Sequence, residues 1–441
     1  MSVQLKSPRG TLDVLPGQTE KWQYIESVIR DIAANNGFNE IRFPTFEYTE
    51  LFSRGVGDTT DVVQKEMYTF EDRGGRSITL RPEGTASTVR AFIQNGLQNA
   101  PLPQKLYYLI SCFRGERPQA GRLREFHQFG AELFGSANAA ADAEVISLAN
   151  SLLLKFGLKN IRLEINSIGC PECRKTYHEA LKKYFSTKMQ ELCSTCADRL
   201  ERNPMRILDC KNESCKEIAK SAPVVLDYIC EDCSRHFDDV KERLELLNIK
   251  YTINSKIVRG LDYYTRTVFE FIDIEQGFAV CAGGRYDGLV SLLGGNQIPA
   301  LGFGMGLERI LMAMDAQNCE FPQEPSNKIF IATMGRAASL KAAKLVSLLR
   351  DEGFSAEYEL SEKSLKAQMK YADKLPADFT IVIGDNELAE NSAQIKNMKN
   401  GKQTKVTLDE NIVSEFYKVI ADNTIEDITT VAEKVVGNLL G

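Results

Sequence analysis

The sixteen residues Phe113 to Gln128 (FRGERPQAGRLREFHQ) carry the densest chemistry in the chain. Arg114, Arg117, Arg122 and Arg124 fall within eleven positions, beside Glu116 and Glu125. Guanidinium forks match phosphate oxygens and neutralise charge that builds during phosphoryl or adenylyl transfer. Phe126 offers an aromatic face on which a purine can stack. Gly115, Pro118 and Gly121 suit a long exposed loop, so a solvated hairpin tip is the competing reading. Three other stretches bear on the choice. LRPEGT (80–85) ends a strand-like run with Arg81, Glu83 and Thr85, polar groups where a pocket floor would lie. RGLDYYTRT (259–267) sets Arg259 ahead of Asp262, Tyr263 and Tyr264, which can grip a polar ligand, although paired tyrosines also simply pack. GFGMGLERI (302–310) runs glycines into a helix start with Arg309 in its first turns, and glycines there let a nucleotide approach the backbone. His127 is a candidate general base, or a structural histidine on a strand.

Of 11 cysteines, eight lie between Cys170 and Cys233 as Cys170-x2-Cys173, Cys193-x2-Cys196, Cys210-x4-Cys215 and Cys230-x2-Cys233. Two thiolates separated by two residues can bite one zinc ion, and two such pairs complete a tetrahedral site. Eight thiols allow up to two structural Zn2+ sites in any pairing, with His178 and His236 in reserve; reduced, metal-free cysteines are the alternative. A disulfide scaffold would be much shorter and secreted. Such zinc would hold together an insertion too small to bury a good core, away from the chemistry.

These groups must be carried on something. At 441 residues, 43% hydrophobic and 26% charged, the chain predicts an ordinary globular protein of two or three domains. Its start lacks an apolar core of signal-peptide length, and no run approaches the roughly 18 apolar residues of a membrane span. A cytoplasmic protein is expected. The net charge of −6 argues mildly against a nucleic-acid partner unless basic residues gather locally. Apolar spacing predicts a helix over 18–36 and strands over 38–43, 77–81, 105–112, 126–134 and 161–166. It predicts helices after Pro82 and over 138–156, and two glycine-rich turns within 278–312. Strand and helix then alternate from 328 to 383, and Asn400-Gly401 signals a hairpin. The expected organisation is an α+β catalytic domain on a largely antiparallel sheet (1–169 and 241–324). A Cys-rich, mainly helical insertion (170–240) interrupts it, and a C-terminal α/β domain with a mainly parallel sheet (325–441) follows it.

In this order and spacing the pieces resemble the class II aminoacyl-tRNA synthetases, and among them the histidine-specific family of bacterial type. GFNEIRFPTFE (37–47) is similar to the first class motif, which forms much of a dimer interface. FRGERPQAGRLREFHQ is similar to the second motif and GFGMGLERI to the third. RGLDYYTRT and GGRYDGL (283–289) are similar to the two peptides particular to histidine recognition. The resemblance implies ATP-dependent attachment of L-histidine to tRNA(His) through a histidyl-adenylate. Mg2+-bound ATP would be the substrate, and the enzyme a cytoplasmic homodimer without membrane attachment. It implies that Arg114 contacts the α-phosphate of ATP and the histidine carboxylate, that Arg259 faces the same phosphate from the other side, and that Arg309 approaches the terminal phosphates. Glu116 and Phe126 would hold adenine. Glu83, Gly84, Thr85, Gln128, Glu132, Tyr263 and Tyr264 would hold histidine, with Arg114 and Arg259. Arg117 and Arg122 could reach the tRNA acceptor end. Lys396, Lys399, Lys402 and Lys405 could line an anticodon groove of the C-terminal, anticodon-binding domain, or form a solvated edge that discourages sheet pairing. Two rivals remain: the non-enzymatic regulatory subunit of ATP phosphoribosyltransferase, which typically lacks the C-terminal domain and the residue matching Arg259, and a class II ligase for another amino acid.

Overall fold

The computed structural model describes residues 5–57, 60–257, 261–322 and 327–425; Arg259 lies outside the described residues. The chain divides into two compact units, Met1–Pro322 and Gln323–Gly441.

The strands of the first unit are β1 (Asn39–Glu40), β2 (Phe46–Tyr48), β3 (Thr69–Glu71), β4 (Ser77–Leu80), β5 (Gln104–Phe113), β6 (Glu125–Phe134), β7 (Ile161–Ser167), β8 (Tyr251–Ile253), β9 (Thr265–Asp273), β10 (Ala279–Arg285) and β11 (Ala300–Gly306). Eight of them form one sheet in the order β1-β5-β6-β11-β10-β9-β7-β8. The outer pairs β1·β5 and β7·β8 are parallel, and the inner pairings are antiparallel. Alternation gives the sheet two unlike faces. Phe129, Ala131, Leu133 and Phe303 point to one side and pack with Ile25, Val28 and Ile29 of the helix Thr19–Asn35 and with the helix Ala139–Lys155. Each such large apolar side chain contributes about 1.5–3 kcal/mol by leaving water. The other side carries Phe126, Gln128 and Glu132, and a cleft opens there.

Three strand expectations shift. The run 38–43 pairs only at Asn39–Glu40. The carbonyls of Phe43 and Pro44 instead accept the Arg81 guanidinium at 3.0 and 3.1 Å, which takes that stretch out of strand pairing. Gly283 and Gly284 belong to β10, not to a turn, and the glycines at 302, 304 and 306 form β11 before the helix Leu307–Ala316 begins. A Cβ at Gly302 would come within 1.8 Å of Glu132 Oε2, and one at Gly304 within 2.4 Å of Gln128 Nε2. Gly302 and Gly304 therefore make room for side chains of the neighbouring strand, and Gly304 and Gly306 line the cleft.

A second, small sheet, β2-β4-β3, leaves Phe46, Tyr48 and Phe70 about half exposed, at 54%, 55% and 47%. The Cys-rich stretch folds as the helices Pro171–Ser186, Ser194–Arg202, Glu213–Ala219 and Glu231–Leu246, joined by short 3-10 turns. It completes its core against the body: Tyr177, Leu181, Phe185, Leu200 and Ile207 are buried in one cluster with Tyr263 and Tyr264, which precede β9, and Tyr286, which follows β10.

The second unit contains β12 (Ile329–Thr333), β13 (Ala356–Tyr358), β14 (Phe379–Ile383), β15 (Ser392–Asn397) and β16 (Gln403–Thr407), in the order β13-β12-β14-β15-β16. The first three strands are parallel, with the helices Arg336–Asp351 and Leu365–Lys374 between them. β15 and β16 add antiparallel at one edge around the turn that contains Asn400-Gly401.

Candidate active site and thiol clusters

Strand register builds the cleft floor. β5 and β6 pair Tyr108 with Gly130, Ile110 with Gln128 and Cys112 with Phe126, so these side chains share one face. Gly130 and Gly84 accept the Tyr108 ring, which a Cβ at either position would meet within 2.3 Å. Glu132 stands fully buried at the centre. Its Oε1 accepts from Thr85 Oγ1 at 2.8 Å and from Tyr108 Oη at 3.2 Å, and its Oε2 accepts from Tyr286 Oη. Burial, reinforced by nearby Glu83 and opposed by these hydroxyl donors, raises its pKa to about 8. Glu83 lies at the start of the helix Thr85–Gln94 and accepts from Thr85 N at 2.7 Å and Ala86 N at 2.8 Å. Burial pushes its carboxyl up as well, against those N–H donors and the Arg114 charge.

A cleft of about 780 Å³ opens above this floor. It brings together Glu83, Thr85, Arg114, Glu116, Arg122, Phe126, Gln128, Tyr263, Tyr264 and Arg309. Glu132 sits beneath them, and Arg117 is exposed on the loop. Arg114 is braced by Nε donating to Pro82 O at 2.9 Å, and its guanidinium lies 5.2 Å from the Phe126 ring centroid. Glu116 pairs with Arg122 at 3.0 Å. Arg309 donates to Gly121 O at 3.0 Å and Ala279 O at 2.8 Å, which ties the loop to the sheet. The loop is thus no solvated tip. It folds over the cleft, with Arg114 N donating to Arg124 O at 2.9 Å and Gly115 N to Glu66 O at 2.6 Å.

Two sequence candidates leave the site. Arg81 is a brace: besides Phe43 and Pro44, it donates to Ser111 O at 2.7 Å. His127 points to the opposite face of β6, where Nδ1 meets Glu308 Oε1 at 2.9 Å and the ring packs edge-on against Trp22 at 4.8 Å. The Glu308 hydrogen bond, outweighing burial, raises its pKa, so it is a structural ion-pair partner rather than a base in the cleft. Sequence reading also missed participants. Tyr286 and Tyr108 complete the ring of hydroxyls around Glu132, and Arg206 and Asp209 of the insertion line the cleft. For Tyr108, an aromatic placed opposite a glycine was a usable signal once the hairpin register is assumed. For Arg206 the local sequence offers none.

The eight cysteines sort into two sets of four: Cys170, Cys173, Cys230 and Cys233, and Cys193, Cys196, Cys210 and Cys215. Within each set the sulfurs all lie within 4.8 Å of one another. Sγ–Sγ separations of 3.4 Å for Cys170–Cys173, 3.9 Å for Cys173–Cys233 and 3.9 Å for Cys193–Cys210 bracket a tetrahedral spacing. Thiolates about 2.3 Å from one zinc ion would stand roughly 3.8 Å apart. All four pairs straddle a helix start, and in three of them the first cysteine, Cys170, Cys193 or Cys230, is the N-cap. Helix N–H groups and dipole favour the anionic sulfur a metal needs. Burial resists, but hydrogen bonds led by the backbone N–H of Cys173 and Cys196 bring the Cys170 and Cys193 thiols down to about 7. Either cluster could therefore hold a metal ion. His178 and His236 belong to neither set; His236 Nε2 lies 3.2 Å from Asp142 Oδ2 instead.

In the second unit Lys396, Lys399, Lys402 and Lys405 are all exposed, and the register puts Lys396 and Lys405 on the same face of the β15-β16 hairpin. Lys405 lies 3.5 Å from Glu390. Among the described residues no helix is long and apolar enough to cross a membrane.

A family model described as histidyl-tRNA synthetase matches residues 10–310, and one described as an anticodon binding domain matches residues 328–414. The chain is 54% identical over 404 residues to the histidine–tRNA ligase of Clostridium novyi, covering 92% of this chain and 97% of that one. The crystal structure of apo histidyl-tRNA synthetase from S. aureus superimposes with a TM-score of 0.80 at 40% identity, covering 94% of this chain and all of that one. A Bacillus halodurans protein described as an ATP phosphoribosyltransferase regulatory subunit/histidyl-tRNA synthetase shares the fold, with a TM-score of 0.62 at 22% identity over 84% of this chain and 97% of that one.

Proposed function

The chain belongs to the histidyl-tRNA synthetase family, and from that premise we propose that it joins L-histidine to tRNA(His) in a reaction driven by ATP. The histidine carboxylate attacks the α-phosphorus of Mg2+-bound ATP, forming histidyl-adenylate and releasing pyrophosphate. The terminal ribose hydroxyl of the tRNA then attacks the activated carbonyl, and AMP leaves. One observation carries the reading: a guanidinium anchored at the cleft wall, Arg114, shares a cavity with the buried, hydroxyl-ringed carboxyl region around Glu132.

Arg114 is assigned to the α-phosphate and the histidine carboxylate, and Arg259 to the opposite side of that phosphate. Fixed positive charge there offsets the charge that develops in the transition state. Arg309 is assigned to the terminal phosphates, and Glu116 and Phe126 to adenine. Phe126 already accepts the flat Arg114 cation on its ring, which supports a stacking role. Glu83 beside Thr85 suits the α-amine; Glu132, Tyr263 and Tyr264 suit the imidazole, which presents a donor and an acceptor when neutral; Gly84 and Gln128 complete the histidine site. The two four-thiol clusters are assigned structural Zn2+, and the domain limits follow the sequence reading, 1–169 with 241–324, 170–240 and 325–441. Arg117 and Arg122 are assigned to the acceptor end of tRNA, and the four hairpin lysines to its anticodon region. A cytoplasmic homodimer is the proposed working form. The half-exposed Phe46, Tyr48 and Phe70 support it, since a cluster of aromatics on one small sheet marks a surface that another chain would cover.

The test is amino-acid-dependent exchange of pyrophosphate into ATP, run with histidine beside a panel of other amino acids. Exchange with histidine alone is expected; exchange with another amino acid, or with none, rejects the reading. Glu132→Ala should raise KM for histidine roughly 10²-fold while leaving KM for ATP nearly unchanged, because only the histidine pocket loses its partner. Equal changes in both would reject the imidazole assignment.

A further inference from the structure

The two thiol clusters differ in what lies between their ligands. The set Cys170, Cys173, Cys230 and Cys233 joins the first turns of the helices Pro171–Ser186 and Glu231–Leu246, and none of these residues lines the cleft. The other set encloses a working segment. Between Cys196 and Cys210 the chain makes a 3-10 turn, Pro204–Ile207, whose four residues are all buried. Cys210 N closes that turn by donating to Ile207 O at 3.1 Å. Arg206 Nη2 donates to Asp262 Oδ1 at 3.1 Å, and Asn203 Nδ2 donates to the same oxygen at 3.0 Å. Arg199 Nη1 holds the turn from behind by donating to Arg206 O at 3.3 Å. Asp262 immediately precedes Tyr263 and Tyr264, and its backbone N donates to Val56 O at 3.2 Å. Arg206 itself faces the cleft.

We propose that Cys193, Cys196, Cys210 and Cys215, closed on a zinc-class divalent ion, form a staple that sets the position of Arg206 and, through Asp262, of Tyr263 and Tyr264. Arg206 is then a positioning residue for histidine binding, beside Arg174, which follows Cys173 of the other set and donates to Asp262 O at 3.4 Å and to Tyr264 O at 3.0 Å. A cross-link between 196 and 210 closes the end of the helix Ser194–Arg202 and the 3-10 turn Pro204–Ile207 into one short loop and removes conformations open to it. Arg206 is largely buried and its ion pair with Asp262 spans 3.1 Å, so a shift of the turn carries Asp262 with it. The proposal rests on the assignment of Tyr263 and Tyr264 to the histidine pocket.

The experiment uses the full-length protein. Elemental analysis should give about two zinc per wild-type chain and about one in each of Cys210→Ser and Cys230→Ser, as expected for sites of four thiolates each. In pyrophosphate exchange, Cys210→Ser and Arg206→Ala should each raise KM for histidine about tenfold with KM for ATP within about twofold. The double variant should be no worse than the worse single variant by more than about twofold, since both act on one linkage. Arg206→Lys should recover part of the loss. Metal-free wild-type protein, an unchanged histidine KM in Arg206→Ala, an unchanged histidine KM in Cys210→Ser at lost metal, or multiplying effects in the double variant would each overturn the proposal. Arg206→Ala keeps all eight thiols, so it decides the matter if Cys210→Ser does not fold. If wild-type protein shows no histidine-dependent exchange, the ligase reading fails, while the metal count still reports on the sites.

Discussion

The cleft floor and the cysteine module hold side chains by different means. On the floor, Tyr108, Gln128 and Glu132 stand where strand register puts them, and the Glu132 oxygens take hydroxyl donors from three separate elements. In the module the 3-10 turn Pro204–Ile207 brings Arg206, with the neighbouring Asn203, to Asp262, beside four thiols that could hold a metal ion. A sheet distributes the work of positioning over many backbone hydrogen bonds. The module relies more on side-chain contacts, Arg199 to Arg206 O and Arg206 to Asp262 among them.

The largest expected effect sharpens the contrast from the floor's side. Arg114→Ala should lower kcat for pyrophosphate exchange by about 10²–10³-fold, the range for removing one preorganised charge from a transition state. A loss below tenfold would move the reacting phosphate elsewhere. Next, Gly302→Ala tests whether the floor is rigid. Its Cβ would fall 1.8 Å from Glu132 Oε2 and 2.4 Å from Ala131 O. Overpacking of that kind costs about 1–3 kcal/mol, readable in denaturant unfolding, and a neutral result would mean that the floor yields as readily as the module.

A smaller effect is a pH dependence. The Glu132 carboxyl is raised from 4.5 to about 8 by burial, so the folded state holds a proton that the unfolded chain releases between those values. The contribution of this group to stability is complete below the lower value and is lost as pH rises through the upper one. Glu132→Gln carries no such proton. The Tm of the parent minus that of the variant should therefore fall from pH 4.5 to about 8 and level off beyond, a range fixed by the same two values. A difference that stays flat across that range would sink the buried-carboxyl account. The smallest effect lies in the second unit. Lys396→Ala and Lys405→Ala should each weaken tRNA binding uniformly and reduce its salt dependence by about one unit of slope, measured by titration at several salt concentrations.

Much of the floor was legible in the sequence because strands announce themselves locally. The hairpin expected over 105–112 and 126–134 forms at Gln104–Phe113 and Glu125–Phe134, with its alternation intact. Arg114, Glu116, Arg122, Phe126 and Gln128 of the second motif and Leu261, Tyr263 and Tyr264 of RGLDYY line one cleft. What escaped was set by partners distant in the chain. Arg81 looked like a pocket residue but is drawn off by three backbone carbonyls. His127 carries no local sign that Glu308 will claim it from 181 residues away. Arg206 sits among helix-rich, charged sequence, and only the folded module turns it toward Asp262. The grouping of the cysteines was equally out of reach, since spacing fixes which thiols can pair but not which pairs meet.

Where β11 passes Glu132 and Gln128, the outline of the pocket is written by omission. Glycine at 302 and 304 contributes vacancy rather than contact, and the neighbouring strand fills that vacancy with its own polar groups. Substitutions at these two positions should therefore rank by bulk alone, with serine as unwelcome as alanine, because no property of an added side chain restores a volume already occupied.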